Sequence, residues 1–302
     1  VVPQAVGSRS RGREPAARGR SGVLEVGVTD GLTAEERERY KKQGFFVRES
    51  VFDAQELEAF RKAAERITAR AAVAADEKAR AIALADAPER DDYTIDGNRY
   101  VEALESTVQF EHRDDSQTIR VIEPFHYLDP VFEGLVGDRR IVTPLCDLLE
   151  SDRIALWTDK INLKRPREGS GFRWHQDSPY WSHVCGHCDE LPNVMITLDD
   201  ADRENGCFRL VPGSHRQGFL PGLADGTALG PLFTDPEHFD ESAQWLAELP
   251  AGSLVVFDAH TVHGSEPNRS DRARRAIVLT YQPPDQPMFK RSGTRNFARE
   301  TA

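Results

Sequence analysis

The pattern of apolar and polar positions changes character near residue 119. Before that point, the longest pattern has apolar residues at helical spacing in a stretch rich in Ala and Glu. After it, short β-branched or aromatic runs alternate with Gly, Pro and Asp breaks, which is typical of short strands. The pattern therefore predicts helices first and a mainly β body afterwards.

Two helices and one strand are predicted in the first part of the chain. Thr33 is suited to cap a helix that has acidic residues in its first turn and ends near Gly44. A strand is expected at 45–52 and a long helix at about 55–75. The polar stretch 86–100 (DAPERDDYTIDGNRY) is predicted to be a loop.

The remainder of the chain favours a jelly roll or barrel, because it contains many short strand signals. One helix is predicted among them, at 129–149. Helices at the front would pack on one outer face of the strands, so the predicted fold class is α+β and mainly β. The predicted strands are 118–125, 153–165, 172–177, 193–200, 207–215, 253–260 and 274–283.

The domain organisation predicted is a basic tail followed by one domain. Residues 1–22 hold five Arg and one Glu among Gly, Ser and Pro, and we interpret them as a disordered tail. Residues 23–302 would form a single domain. Within it, 216–250 has few strand signals and is expected to be a lid-like insert, with a short helix at 240–249.

Composition and charge argue against two classes of partner and favour one cellular compartment. The formal net charge of −11 argues against nucleic acid as a general partner. No apolar run reaches the roughly 18 residues of a membrane span, so no membrane association is expected. Four cysteines without a secretory signal favour free thiols in a reducing compartment, and we expect a cytoplasmic location.

A His-x-Asp pair provides the first candidate chemistry. His175 and Asp177 are two residues apart on a predicted strand, so both side chains would face the same side. Such a pair is either a surface ion pair or half of a metal site. His263, between an apolar strand and a Gly-Ser turn, is the candidate third ligand. Two His and one carboxylate form the facial triad of non-haem Fe(II) oxygenases, which leaves room for a keto acid and O₂.

Arg274 supplies a second requirement of that chemistry. It lies eleven residues after His263, at the start of the last predicted strand. A guanidinium fork can hold the far carboxylate of a dicarboxylate co-substrate bidentately. Arg275 would point to the other face of the strand, although a one-residue bulge could exchange the two.

Three separated motifs, in this order, resemble the phytanoyl-CoA dioxygenase family of Fe(II)/2-oxoglutarate oxygenases. They are HQDSPYW (175–181), NGCFRLVPGSHRQG (205–218) and VHGSEPNRSDRARRAI (262–277). The resemblance covers roughly residues 34–284. It implies a double-stranded β-helix, which is the jelly roll that the strand pattern favours.

The resemblance also implies roles for individual residues. His175, Asp177 and His263 would bind iron, and Arg274 would bind the distal carboxylate of 2-oxoglutarate. Three further positions match the residue types that related hydroxylases use to contact this co-substrate: Asn162, Trp181 and Ser265.

The activity that the resemblance implies is oxidation of an unactivated C–H bond in a small-molecule substrate, with Fe(II), 2-oxoglutarate and O₂. Ascorbate would serve as the reductant in vitro. Hydroxylation is the default outcome, desaturation and cyclisation use the same site, and secondary metabolism is one setting. Halogenation is not expected, because halogenating relatives have a small residue in place of Asp177.

Two other functions remain open at this stage. Cys185 and Cys188 form a Cys-x-x-Cys motif that suits a thiol-disulfide oxidoreductase, or a zinc site together with His183 and His187. No βαβ pattern surrounds the motif, which favours incidental thiols. The other alternative is a protein that binds iron and 2-oxoglutarate without turnover.

Overall fold

The computed structural model describes residues 31–85, 91–113 and 116–299, so the predicted basic tail lies outside the described residues. Within these ranges the chain forms five α-helices and fourteen strands. The helices are α1 (Ala34–Gln43), α2 (Ala54–Ala85), α3 (Pro130–Leu135), α4 (Arg139–Leu148) and α5 (Ser178–Trp181). The strands are β1 (Phe45–Arg48), β2 (Asp92–Ile95), β3 (Asn98–Ala103), β4 (Ser106–Phe110), β5 (Ile119–Glu123), β6 (Arg153–Lys164), β7 (Phe172–His175), β8 (Asn193–Thr197), β9 (Phe208–Leu210), β10 (Trp245–Leu246), β11 (Leu254–Phe257), β12 (His263–Ser265), β13 (Arg274–Gln282) and β14 (Asn296–Ala298).

The strands form two antiparallel sheets. The major sheet has ten strands in the order β1-β11-β8-β13-β6-β5-β4-β3-β2, with β14 also paired to β6. The minor sheet has four strands in the order β10-β9-β12-β7. Strands β2 to β6 are paired in sequential order, whereas strands β7 to β13 are distributed between the two sheets, as expected for a jelly roll. The predicted mainly β jelly-roll class is confirmed.

The core is divided into two layers by the major sheet. One layer fills the space between the two sheets, where Met195 and Val278 of the major sheet pack with Phe208 and Leu210 of the minor sheet. The other layer lies between the major sheet and the helices, where Ile67 of α2 is fully buried. The helices therefore cover the outer face, and the inner face remains available for a site.

The helices at the start of the chain form as the sequence predicts. Thr33 and Glu36 make a capping box at the start of α1, and Gly44 ends the helix with a φ of 86°. Helix α2 extends ten residues past the predicted end at 75, and Ala75 is its last described residue in the buried core. In the part of the chain that the structure describes, none of the helices combines the length and apolar character that a membrane span requires.

The loop predicted at 86–100 is wrong where the structure describes it. Strands β2 and β3 form a hairpin whose turn is Asp96-Gly97, with φ values of 50° and 79°. An Asp-Gly pair at positive φ matches the twist of a two-residue hairpin turn. The stretch is polar because both hairpin strands carry partly exposed polar residues, and this composition favoured a loop over the hairpin that Asp96-Gly97 indicates.

Two helix predictions also need correction. The helix predicted at 129–149 is two helices, because the chain turns at Gly137 and Asp138 caps a new helix by accepting a hydrogen bond from the Arg140 amide. The helix predicted at 240–249 is a single 3₁₀ turn, Glu241–Ala243, followed by the short strand β10.

Candidate metal centre

Strand pairing in the minor sheet brings two distant histidines together. His175 is the last residue of β7 and His263 is the first residue of β12, and the two are paired directly in the register. Asp177 lies beyond the end of β7, where it precedes α5 with helical backbone angles. The expectation that His175 and Asp177 share one strand face is therefore wrong. Asp177 is instead held by its amide, which donates to the carbonyl oxygen of Ala259 at 3.0 Å.

The three side chains converge on one point. One ligand atom from each residue lies within 4.8 Å of the other two. Asp177 Oδ1 is 3.9 Å from His175 Nε2, and Asp177 Oδ2 is 3.7 Å from His263 Nε2. All three residues are buried. Among the described residues, this is the only group of three or more potential ligands close enough to hold a metal ion.

Hydrogen bonds behind the histidines fix which ring nitrogen faces the centre. His175 Nδ1 donates to the Arg173 carbonyl and His263 Nδ1 donates to the Thr261 carbonyl, each at 2.8 Å. Both Nε2 atoms are then left as acceptors, which is the arrangement that metal-binding histidines use. Asp177 Oδ2 is buried and has no hydrogen-bond partner among the described residues. Two imidazoles and an unsatisfied carboxylate oxygen fit Fe(II).

The electrostatic environment keeps these groups ready to bind a cation. Burial, and then the neighbouring His263, lower the pKa of His175 to about 3, and burial also lowers the pKa of His263. Burial alone would raise the pKa of Asp177, but the charge of Lys160, followed by the adjacent His263 and His175 rings, more than offsets it and lowers that pKa. At neutral pH the imidazoles are therefore neutral and the carboxylate is ionised.

A pocket lined by the three residues also reaches Arg274. Arg274 opens β13, is 3% exposed, and donates from Nε and Nη2 to the Gly206 carbonyl at 3.1 and 2.8 Å. Five apolar side chains line this pocket: Phe172, Met195, Phe208, Phe257 and Val278. We call this space the inner pocket.

Arg275 lies on the opposite face of β13. Its guanidinium forms ion pairs with Asp199 at 2.7 Å and Glu65 at 2.9 Å, on the helix side of the major sheet. The strand pairs with β6 without interruption from Arg274 to Thr280, so no bulge exchanges the two arginines. Of the two neighbours, only Arg274 reaches the inner pocket.

The other three predicted co-substrate contacts divide into two groups. Asn162 and Ser265 both line the inner pocket, and Asn162 Oδ1 is buried without a hydrogen-bond partner among the described residues. Trp181 does not line it. Trp181 packs edge-on against Trp157 at 6.2 Å between ring centroids and borders a larger, outer cavity.

Comparison with known proteins now decides the family. The model of the family "Phytanoyl-CoA dioxygenase" matches residues 40–276. The chain belongs to the phytanoyl-CoA dioxygenase family of iron(II)- and 2-oxoglutarate-dependent oxygenases. It is therefore an enzyme of this oxygenase class.

Relatives within this class act on small molecules. An ectoine dioxygenase of Bordetella bronchiseptica is 27% identical over 278 residues, which is 83% of this chain and 76% of the relative. The L-proline trans-4-hydroxylase of Streptomyces griseoviridis is 29% identical over 185 residues, 56% of this chain and 69% of that protein. The crystal structure of EctD from S. alaskensis with 2-oxoglutarate and 5-hydroxyectoine has a TM-score of 0.61 at 21% identity, and covers 85% of this chain and 78% of that one. The last likeness shows a shared fold.

A buried lysine of this oxygenase was not among the predicted site residues. Lys164 is 2% exposed and pairs across the strands with Arg274. Its ammonium donates to Ser265 Oγ at 2.8 Å and to the carbonyls of Gly206 and Glu266. Burial, and then Arg274, lower its pKa well below the ordinary value. A signal was present, because polar residues alternate along β6 and place Lys164 on the same face as Asn162.

A larger outer cavity of about 1170 Å³ adjoins the metal centre. Its lining combines aromatic rings with charged side chains of both signs. The segment 216–250 contributes Leu223, Leu232 and Phe233 to this lining. The tip of the β2–β3 hairpin meets the same segment, because Asp96 accepts hydrogen bonds from the amides of residues 228 and 229 at 3.1 and 2.6 Å.

The Cys-x-x-Cys motif lies in an apolar environment. Cys185 and Cys188 are buried with Trp157, Trp181 and Leu191. Burial, and then the neighbouring Cys185, raise the pKa of Cys188 to about 12, so its thiol is protonated at neutral pH. A reactive thiol needs the opposite shift. Neither cysteine belongs to a group of potential metal ligands among the described residues.

Proposed function

We propose that this oxygenase hydroxylates an unactivated C–H bond of a small polar molecule. His175, Asp177 and His263 would hold Fe(II) through two imidazole nitrogens and one carboxylate. The observation that carries the proposal is the inner pocket, which joins this metal centre to the buried guanidinium of Arg274.

The chemistry at the two ends of the inner pocket suits 2-oxoglutarate. A dicarboxylate needs a metal at its keto-acid end and a cation at its far end. Arg274 is buried, and burial lowers its pKa to about 10, so it remains charged at neutral pH. Asn162 and Ser265 line the space between the two ends and can hydrogen-bond the co-substrate. A buried guanidinium fork favours a planar carboxylate over other anions.

Iron, when bound together with 2-oxoglutarate and O₂, would supply the oxidising power of this family. The contribution of the chain itself is to fix the ligands and to limit access of water. The backbone acceptors of Arg173 and Thr261 hold the two imidazoles in one orientation. Phe208 and Phe257 would limit the access of water to the inner pocket, and the segment 216–250 would act as a lid over the outer cavity.

The outer cavity would bind the substrate. Its charged lining supports a polar molecule rather than a long acyl chain. The ectoine and proline oxygenases among the relatives support the same class of substrate. A role in secondary metabolism and a cytoplasmic location are part of this proposal; the four free cysteines support a reducing compartment.

The proposal is tested by succinate formation from 2-oxoglutarate in the presence of Fe(II), ascorbate and O₂. We expect slow formation without substrate, loss with a chelator, and recovery when Fe(II) is restored. A screen of small carboxylates and amino acids for faster formation would then identify the substrate. Binding of 2-oxoglutarate without any succinate would instead favour a binding protein without turnover.

A further inference from the structure

Arg120 is a buried guanidinium in the outer cavity that the reaction described above does not use. It is 4% exposed and belongs to β5. In the pairing with β4, Gln109 is opposite Val121 but Phe110 is opposite Ile119, so Arg120 is the extra residue of a β-bulge. Bulges re-aim side chains next to active sites. Here the bulge directs Arg120 into the cavity, whose lining it shares with Val121.

The groups in direct contact with the Arg120 guanidinium fix its position but carry no negative charge. Its guanidinium lies 3.9 Å from the centre of the Phe172 ring, and Nη2 donates to the Gly171 carbonyl at 2.7 Å. Nη1 contacts the ring of His112, whose pKa is lowered to about 4 by burial and then by Arg120 itself, so that ring is neutral. Nε has no hydrogen-bond partner among the described residues.

Arg120 differs from every other Lys or Arg that lines the outer cavity. Each of the other four lies within 4.0 Å of a carboxylate: Lys160 of Asp177, Arg173 of Asp225, Arg209 of Glu266 and Lys290 of Glu123. Among the described residues, Arg120 has no carboxylate within that distance. Glu111 lies beyond that distance but near enough to favour the charge of Arg120; its Oε2 accepts from the amide and hydroxyl of Ser170, and its Oε1 has no hydrogen-bond partner among the described residues.

A buried charge without a carboxylate in direct contact is costly, and a ligand can supply that counter-charge. We propose that Arg120 binds a carboxylate of the substrate, so that the substrates are small carboxylic acids or zwitterions. The inference rests on the proposed function and adds the substrate class to it.

The location of Arg120 is consistent with this role. Tyr180 is near enough to Arg120 to affect its charge, and it packs edge-on against the His175 ring at 5.8 Å between centroids. A small molecule anchored at Arg120 therefore extends toward the metal centre. Phe172 separates Arg120 from the inner pocket, because its ring borders both cavities.

Trifluoroacetate, followed by ¹⁹F NMR, is a suitable probe for this site. The full chain is loaded with Zn(II) in place of Fe(II) to prevent turnover, and with saturating 2-oxoglutarate to occupy Arg274. Wild-type protein should bind trifluoroacetate at least about tenfold more tightly than neutral trifluoroethanol, because charge-assisted hydrogen bonds are strong. Arg120→Gln should remove that preference, and Arg120→Lys should retain part of it.

Arg173→Gln is the matched control, since Arg173 borders the same cavity but is already paired with Asp225. It should keep the wild-type preference. The proposal is overturned if wild-type protein does not prefer the carboxylate, if Arg120→Gln binds it as tightly as wild type, or if Arg173→Gln loses as much. Binding of 2-oxoglutarate is measured in the same samples. Its retention alongside any of these results shows that the substrate assignment fails while the proposed function stands.

Discussion

Arg274→Lys tests the co-substrate site with a single change of side-chain shape. In the structure, Nε and Nη2 donate to the Gly206 carbonyl, and Nη1 has no hydrogen-bond partner among the described residues. The guanidinium of Arg274 is therefore held in position by Nε and Nη2, and its remaining N–H groups can donate to a carboxylate. Lysine keeps the charge but has one ammonium for both tasks. It would also place that ammonium near Lys164, which is paired across the strands.

The expected loss is at least one charge-assisted hydrogen bond, about 1.5–3 kcal/mol. This corresponds to a rise of about 10- to 150-fold in the dissociation constant for 2-oxoglutarate. Arg275→Lys is the matched control, because its ion pairs with Asp199 and Glu65 lie on the opposite face. It should stay within about threefold of wild type, since partly exposed ion pairs contribute little.

The assay is an anaerobic titration of 2-oxoglutarate into each Fe(II)-loaded variant. Iron affinity should be unchanged in both, because neither residue is a ligand. The reasoning is refuted if Arg275→Lys weakens 2-oxoglutarate binding more than Arg274→Lys does. Unchanged 2-oxoglutarate affinity in both variants would show that the inner pocket is not the co-substrate site.

Three further predictions concern the metal, the thiols and the lid. Asp177→Asn should lower iron affinity by at least about tenfold, as judged by equilibrium dialysis, because it removes the charged ligand; full iron binding in a folded variant would contradict this. The double variant Cys185→Ser, Cys188→Ser should keep at least half of the succinate formation under reducing conditions, and its complete loss with iron still bound would give these thiols a catalytic part. Asp96→Ala removes two hydrogen bonds to the segment 216–250 and should speed proteolysis there severalfold, whereas cleavage at the wild-type rate would mean that the hairpin does not hold the lid.

The site residues and the first helix could be predicted from the sequence, because each depends on residue types and on neighbours close in the chain. His175, Asp177 and His263 could be selected together because an apolar strand precedes each histidine. Arg274 could be added because it lies eleven residues after His263, at the start of the last predicted strand. The first helix was predicted in detail, since its cap and its end depend only on neighbouring residues such as Thr33 and Gly44.

Features that depend on strand pairing were not predictable in the same way. The sequence shows His175 and Asp177 two apart, but only the structure shows that β7 ends between them. The bulge at Arg120 arises from the register of β4 against β5, which one strand alone does not specify. The alternation along β6 places Lys164 on the face of Asn162, but its burial depends on partners at residues 206, 265 and 266 that the strand alone does not specify.

The central claim is that the three clustered residues hold iron and that 2-oxoglutarate binds to it. Anaerobic addition of Fe(II) and then 2-oxoglutarate to the full chain measures this directly through the weak visible charge-transfer band. We predict that the band saturates at one iron and one 2-oxoglutarate per chain, and that it is absent when His175, Asp177 and His263 are all replaced by Ala. An unchanged iron stoichiometry in that triple variant, or no band in wild-type protein that binds both, would contradict the account.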